Sequence, residues 1–226
     1  MQILINTGRL GTFAGRGRFM ITKNEPLAEH EKNIDKGRFC SIIEMAVSQP
    51  VSEEFFKMIE MESLILDKAK YSDWKEMYCN VWSQSESAKY MAWNITTNEE
   101  DAKIRIMKTI AFQKEHDTYL VYEKSGGKAI GFAGVEKIEP YIYQEAGICL
   151  GPDYVGKGFG RQILQGLIQY CKEEFSAKEF IYSTREENRA SNRLAKSLGF
   201  TVISSVPKTD SKDGHSYNLL QYSLKL

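Results

Sequence analysis

The stretch LGPDYVGKGFGRQIL (150–164) places Gly151, Gly156, Gly158 and Gly160 around Lys157 and runs straight into an amphipathic helix. Glycines at this density allow positive φ and let backbone N–H groups come close to a ligand. The first turn of the helix that follows has four amides with no intrahelical acceptor. The positive end of its dipole favours an anion there by about 0.3–1 kcal/mol. A plain strand-to-helix turn needs one or two glycines. Three within five residues, at 156, 158 and 160, point to a bound phosphate.

Three phosphates compete for this loop. Gly151, Gly156 and Lys157 match the start of an ATP-binding P-loop. That motif then needs a Ser or Thr hydroxyl for magnesium, and this chain has Gly158. The dinucleotide fingerprint needs its last glycine where Arg161 stands, and it belongs to the first strand of its domain. Here several strands precede the loop. The third candidate is the pyrophosphate of coenzyme A.

Outward from the loop, YQEAGICLG (143–151) reads as a strand. RQILQGLIQYCKEEF (161–175) sets Ile163, Leu164, Leu167, Ile168, Cys171 and Phe175 on one helical face. Upstream, ESLILDKA (62–69) reads as a strand. SDWKEMYCNVW (72–82) reads as a helix capped by Ser72, and residues 96–113 as a helix capped by Thr97 with Ala102, Ile106, Ile110 and Ala111 on one side. Residues 118–138 form a hairpin turning at Gly126 and Gly127. Downstream come a strand at 179–184, a helix stopped by Gly199, and two closing strands at 200–206 and 216–226. The pattern predicts an α/β fold with a mixed sheet and helices on both faces.

Residues 1–60 read as an N-terminal extension and 61–226 as the main domain. The first 24 residues carry Arg9, Arg16, Arg18 and Lys23 with no acid, and read as a flexible leader. Short helices are expected at 37–48 and from Ser52, the second with Phe55, Phe56 and Ile59 on one face. They offer a surface for a homodimer. Thirty basic residues balance thirty acidic ones, so no overall field draws the chain to nucleic acid or to a membrane. The four cysteines and three histidines have no metal-ligand spacing, and no metal site is expected. With no apolar run near the roughly 18 residues of a membrane span, and no signal-peptide core at the N-terminus, a cytoplasmic protein is expected.

The loop resembles motif A of the GCN5-related N-acetyltransferases, the GNAT superfamily, in the form found in its RimJ/RimL-like branch. Val155 stands where that motif has Gln or Arg. A second stretch, ENRASNRLAKSLGF (187–200), resembles motif B of the same family through Asn188, Ser191 and the terminal Gly199-Phe200. The resemblance spans residues 62–226. It implies a GNAT fold: a central, mostly antiparallel sheet in which two strands splay apart to admit acetyl-CoA. It further implies direct transfer of acetyl from that cosubstrate to a primary amine of a small molecule or a protein.

The resemblance also implies roles for particular residues. The pyrophosphate falls to Val155, Gly156, Lys157, Gly158, Phe159, Gly160 and Arg161. The free strand edge at Ile148, Cys149 and Leu150 receives the pantetheine arm, with an N–H such as that of Leu150 polarising the thioester carbonyl. Asn188 holds the pantetheine amides. Glu145 is the implied general base. Ala195 occupies the usual position of the acidic tyrosine, which leaves Ser191 to meet the leaving sulfur. A base matters because a lysine with pKa near 10.4 must give up about 4–5 kcal/mol to be neutral at pH 7, an α-amine only about 1. Acceptor recognition falls to the first two helices and the late hairpin, where Glu86, Tyr90 and Trp93 are the candidates. Trp74 and Trp82 read as core. An acyl-CoA-binding sensor with little turnover is the rival reading.

Overall fold

The computed structural model describes residues 57–226. Eight strands form one sheet: β1 (Ile59–Glu60), β2 (Leu64–Asp67), β3 (Thr118–Glu123), β4 (Ala129–Glu139), β5 (Ile142–Leu150), β6 (Glu179–Arg185), β7 (Thr201–Thr209) and β8 (Ser216–Lys225). Their spatial order is β1-β2-β3-β4-β5-β6-β8-β7. Every neighbouring pair is antiparallel except β5–β6. Among the described residues no helix is long and apolar enough to cross a membrane.

Strand alternation sends successive side chains to opposite faces and creates two separate cores. On one face Tyr119, Val121, Ile130 and Tyr143 meet the helix α4 (Phe159–Phe175), with Ile163, Leu164, Leu167 and Cys171 fully buried. The helix α5 (Arg189–Ser197) closes the same side through Ala195. Gly199 ends it at φ +86°, with the N–H of Phe200 returning to Ala195 O at 3.1 Å. On the other face Leu120, Ala129 and Cys149 meet α1 (Trp74–Met77), the turn that follows it and α3 (Glu99–Gln113) through Met77, Val81, Trp82, Ala102 and Ile106.

Five local readings of the sequence are corrected. The helix expected at 72–82 is three short pieces: a 3-10 turn (Tyr71–Asp73), α1, and a π turn (Tyr78–Trp82). Ser72 does not cap it. Asp73 turns back instead, its Oδ2 accepting the Lys70 N–H at 2.7 Å. The π turn is held because Ser83 N–H and Oγ both reach Tyr78 O, and Gln84 Nε2 reaches Cys79 O. The cap of α3 is Asn98, one residue after the expected Thr97, with Oδ1 accepting from Asp101 N–H at 2.9 Å. Ala111 lies outside the buried stripe and is exposed. Ile59, expected on a helical face, belongs to strand β1 and begins the sheet two residues before the expected domain boundary. The remaining expectations for residues 1–56 lie outside the described residues.

Fully burying a leucine contributes about 1.5–3 kcal/mol, and truncation adds the cavity left behind. Leu167 sits at 0 % exposure in the middle of α4. Leu167→Ala is expected to lower unfolding stability by about 2–5 kcal/mol, read from urea denaturation.

Candidate active site

Strands β5 and β6 pair over three residues only: Ile142 with Glu179, Tyr143 with Phe180, and Gln144 with Ile181. Beyond Gln144 they part. The cause is visible in the β4–β5 register, where Ala146 and Gly147 together oppose Gly134 between the Val135–Glu145 and Ala133–Ile148 pairs. This is a bulge on β5, and Gly147 takes the φ of +96° that it requires. The bulged strand bends toward β4 and leaves β6 with β8. Gly151 N–H donates to Ile130 O at 2.8 Å, so by alternation the N–H groups of Ile148 and Leu150 point away from β4, into the gap.

Glu145 stands where the strands separate. Its Oε2 accepts the Gly147 N–H at 2.6 Å and its Oε1 accepts the Ser183 N–H at 3.3 Å. One carboxylate thus spans the first amides that the parted strands leave without a neighbour. Burial pushes its pKa up to about 8; the two N–H groups oppose this, and the Glu136 carboxylate adds to it. Glu136 is itself raised by burial while accepting from Gln144 Nε2 at 3.2 Å.

Tyr182, on β6, is the residue that the sequence reading missed. It is 5 % exposed, and its phenol faces Ser191. Burial pushes its phenol up to about 12, with the Glu145 charge adding and Ser191 opposing. A tyrosine in EFIYST was plain to see. Its place beside Glu145 depends on the parallel β5–β6 register, which no local pattern carries.

The glycine loop lies at the far end of β5. Gly156 and Gly158 adopt φ of +83° and +81°, and Gly158 is the N-cap of α4. An added Cβ at either would meet nothing within 4 Å, so these positions need glycine for backbone shape and face open space. Gly160 faces α5, where an added Cβ would meet Leu194 at an ordinary contact distance of 3.6 Å. Phe159 and Gly160, as the first helical residues, have N–H groups without intrahelical acceptors. Arg161 is exposed beside the loop. Its N–H is taken by Gly158 O at 3.0 Å, and its guanidinium binds Ser197 Oγ at 2.7 Å. The Phe159 side chain belongs to the core, leaving only its N–H for a ligand. Lys157 Nζ rests 5.1 Å from the Tyr154 ring, and Val155 is exposed.

A cavity of about 480 Å³ joins the strand gap to the face carrying α1 and α3. Glu145, Ile148, Asn188, Ser191, Tyr90 and Trp93 all line it. Asn188 caps α5, accepting Ser191 N–H at 3.2 Å. Cys149 points into the opposite core beside Ser87, and burial pushes its thiol up to about 12, so it supplies backbone only. Glu86, on α2 (Ser85–Ala88), is exposed, accepts from Ser85 Oγ at 2.8 Å, and is not among the residues that line the cavity. Trp82 is core, as read, but its ring also forms cavity wall; Trp74 packs beside it. The late hairpin roofs the entrance. Arg185 Nη2 binds Asp210 Oδ2 at 2.6 Å, and Lys212 Nζ binds Ala88 O at 2.9 Å.

The acetyltransferase (GNAT) domain profile matches residues 63–201. An uncharacterized N-acetyltransferase p20 from Bacillus licheniformis is 25% identical over 166 residues, which is 72% of this chain and 93% of that protein. An acetyltransferase (GNAT family) structure from Bacillus anthracis superposes with a TM-score of 0.65 at 20% identity, covering 75% of this chain and 98% of that one. The Microcin C7 self immunity acetyltransferase MccE, solved in complex with acetyl-CoA and AMP, superposes at 0.63 with 22% identity, covering 73% and 93%.

Glu145 holds its proton more tightly folded than unfolded, since its pKa rises from 4.5 to about 8. The unfolded chain has released that proton above about pH 4.5 while the native state keeps it, so native stability falls as pH rises through this window. Glu145→Gln is expected to flatten that decline, measured as urea midpoints between pH 5 and 9. An unchanged slope would show that the carboxyl titrates normally.

Proposed function

Because the chain belongs to the GNAT acetyltransferase family and is an N-acetyltransferase, we propose that it moves the acetyl group of acetyl-CoA directly to a primary amine presented to Glu145. The donor supplies the activated thioester. The presence of acetyl-CoA in the MccE structure supports the same donor here. The open amides at Gly158, Phe159 and Gly160 suit its pyrophosphate, and the N–H groups of Ile148 and Leu150 suit an extended arm in the strand gap.

Glu145 takes the proton that the amine must lose. A base with pKa about 8 matches an amine near its own pKa, so proton transfer is close to balanced. A strand-edge N–H, that of Leu150 or Ile148, faces the carbonyl oxygen as charge develops on it. The bond between carbonyl carbon and sulfur breaks as the carbon–nitrogen bond forms. Tyr182, still protonated at neutral pH, hands its proton to the departing sulfur. Ser191 stands beside the phenol. Asn188 presents its amide at the mouth of α5.

The observation that carries this reading is a single carboxyl group, at the parting of two strands, in hydrogen-bond contact with both and lifted toward neutral pH. For the wild type, kcat/KM in a thiol-release assay over a panel of amines is expected to rise through an apparent pKa near 8. Glu145→Gln should lower it about 10²- to 10⁴-fold and remove that inflection. Tyr182→Phe should lower kcat with little change in the KM for acetyl-CoA. Full activity in Glu145→Gln overturns the assignment of the base. Tight CoA binding by calorimetry, with no thiol released for any amine, supports a sensor instead.

A further inference from the structure

Two arginines stand in the cavity wall, and their surroundings differ. Arg185 has Asp210 Oδ2 at 2.6 Å and Glu187 Oε1 at 3.8 Å. Arg105, on α3, has no carboxylate within 4 Å among the described residues. Its guanidinium lies between two indoles, 4.8 Å from the Trp82 ring centre and 4.4 Å from that of Trp93. Nη1 donates to Thr96 Oγ1 at 3.0 Å. A guanidinium carries five donors, and a cation drawn out of water is normally paired. Stacked indoles orient it and recover part of the lost hydration. They also hold the planar fork rigid, which favours two-point binding of a carboxylate.

We propose that Arg105 is the acceptor-binding residue that reads an anion, and that the amine acetylated here carries a carboxylate held away from its nitrogen by an apolar spacer. This rests on the transfer reaction proposed above. Glu145 and Glu136 line the same cavity and provide the cation-seeking end. The wall between contains Phe112, Phe132 and Met91, which suit a hydrocarbon body rather than a hydrated one. Arg105 lies near Cys149, four residues along β5 from Glu145 and roughly 10 Å of strand away, so the two poles are well apart. An amine and a carboxylate on adjacent carbons could not reach both. A free protein N-terminus offers no such carboxylate unless its sequence supplies one.

The test compares 6-aminohexanoate and 4-(aminomethyl)benzoate with their carboxamides, each as acceptor for wild type, Arg105→Gln and Arg105→Lys. The wild type is expected to favour each acid over its amide by about 10- to 100-fold in kcat/KM, mostly through KM. Arg105→Gln should shrink that ratio to below about 3, whatever happens to the absolute rates. Arg105→Lys keeps the charge but loses the fork, and should retain only part of the preference; it decides the matter if Arg105→Gln does not fold. A readout independent of turnover is the tryptophan fluorescence of the CoA-saturated protein. Titration with 6-aminohexanoate should give a saturable change in wild type that 6-aminohexanamide does not reproduce. Equal use of acid and amide, a preference surviving in Arg105→Gln, or no saturable fluorescence change overturns the proposal. Saturable binding of the acid without any thiol release would leave the pocket assignment standing and remove the transfer reaction instead.

Discussion

The parting of β5 from β6 after three paired residues is the constraint on which the site depends. A parallel pair inside a sheet normally continues to the strand ends, because each unpaired amide or carbonyl left in a dry interior is costly. Here the bulge at Ala146 and Gly147 forces the separation, and the Glu145 carboxylate spans the first exposed amides, those of Gly147 and Ser183. The same opening gives the edge of β5 to an incoming ligand and sets the carboxyl group at its apex. Burial at that apex is also why the group keeps its proton near neutrality. On the proposed reading, structural necessity and acid–base chemistry fall on one side chain.

The rest of the sheet supports this opening. On the far side of β5, residues 148–150 remain locked to Ala133, Phe132 and Gly131 of β4. On the far side of β6, seven successive pairs with β8 run from Glu179 to Arg185. Each splayed strand is therefore anchored along its outer edge while its inner edge stands open. The opening is already formed, and a ligand entering it does not have to separate the strands first, which lowers the ordering cost of binding.

Much of this was legible in the sequence, because the relevant signals are local. The glycine spacing at 156–160, the apolar stripe of α4 and the Gly199 stop each depend on residues within a turn or two. Motif order then gave the fold. The misses share one cause: they are made by contacts between distant segments. Tyr182 needs the β5–β6 register to meet Glu145. Arg105 looks like an ordinary polar position beside Ile106 until the chain brings Trp82 and Trp93 around it. Glu86 was placed by proximity along the chain to Tyr90, yet a short helical turn directs it outward. The π turn was illegible for a subtler reason. Its pattern of apolar residues is that of an α-helix, and only the hydrogen bonds from Ser83 and Gln84 to the carbonyls of Tyr78 and Cys79 reveal the extra residue.

The sheet separates two cores, one behind α4 and α5, the other behind α1 and α3. The amides that suit the proposed acyl donor come from β5 and the segment after it, whereas the indoles and the guanidinium beside them come from 82–105. On the proposed reading, donor binding and acceptor choice are written in different stretches of chain. A lineage can rewrite the second stretch to change diet while the first is inherited untouched, and a protein engineer can graft it for the same purpose.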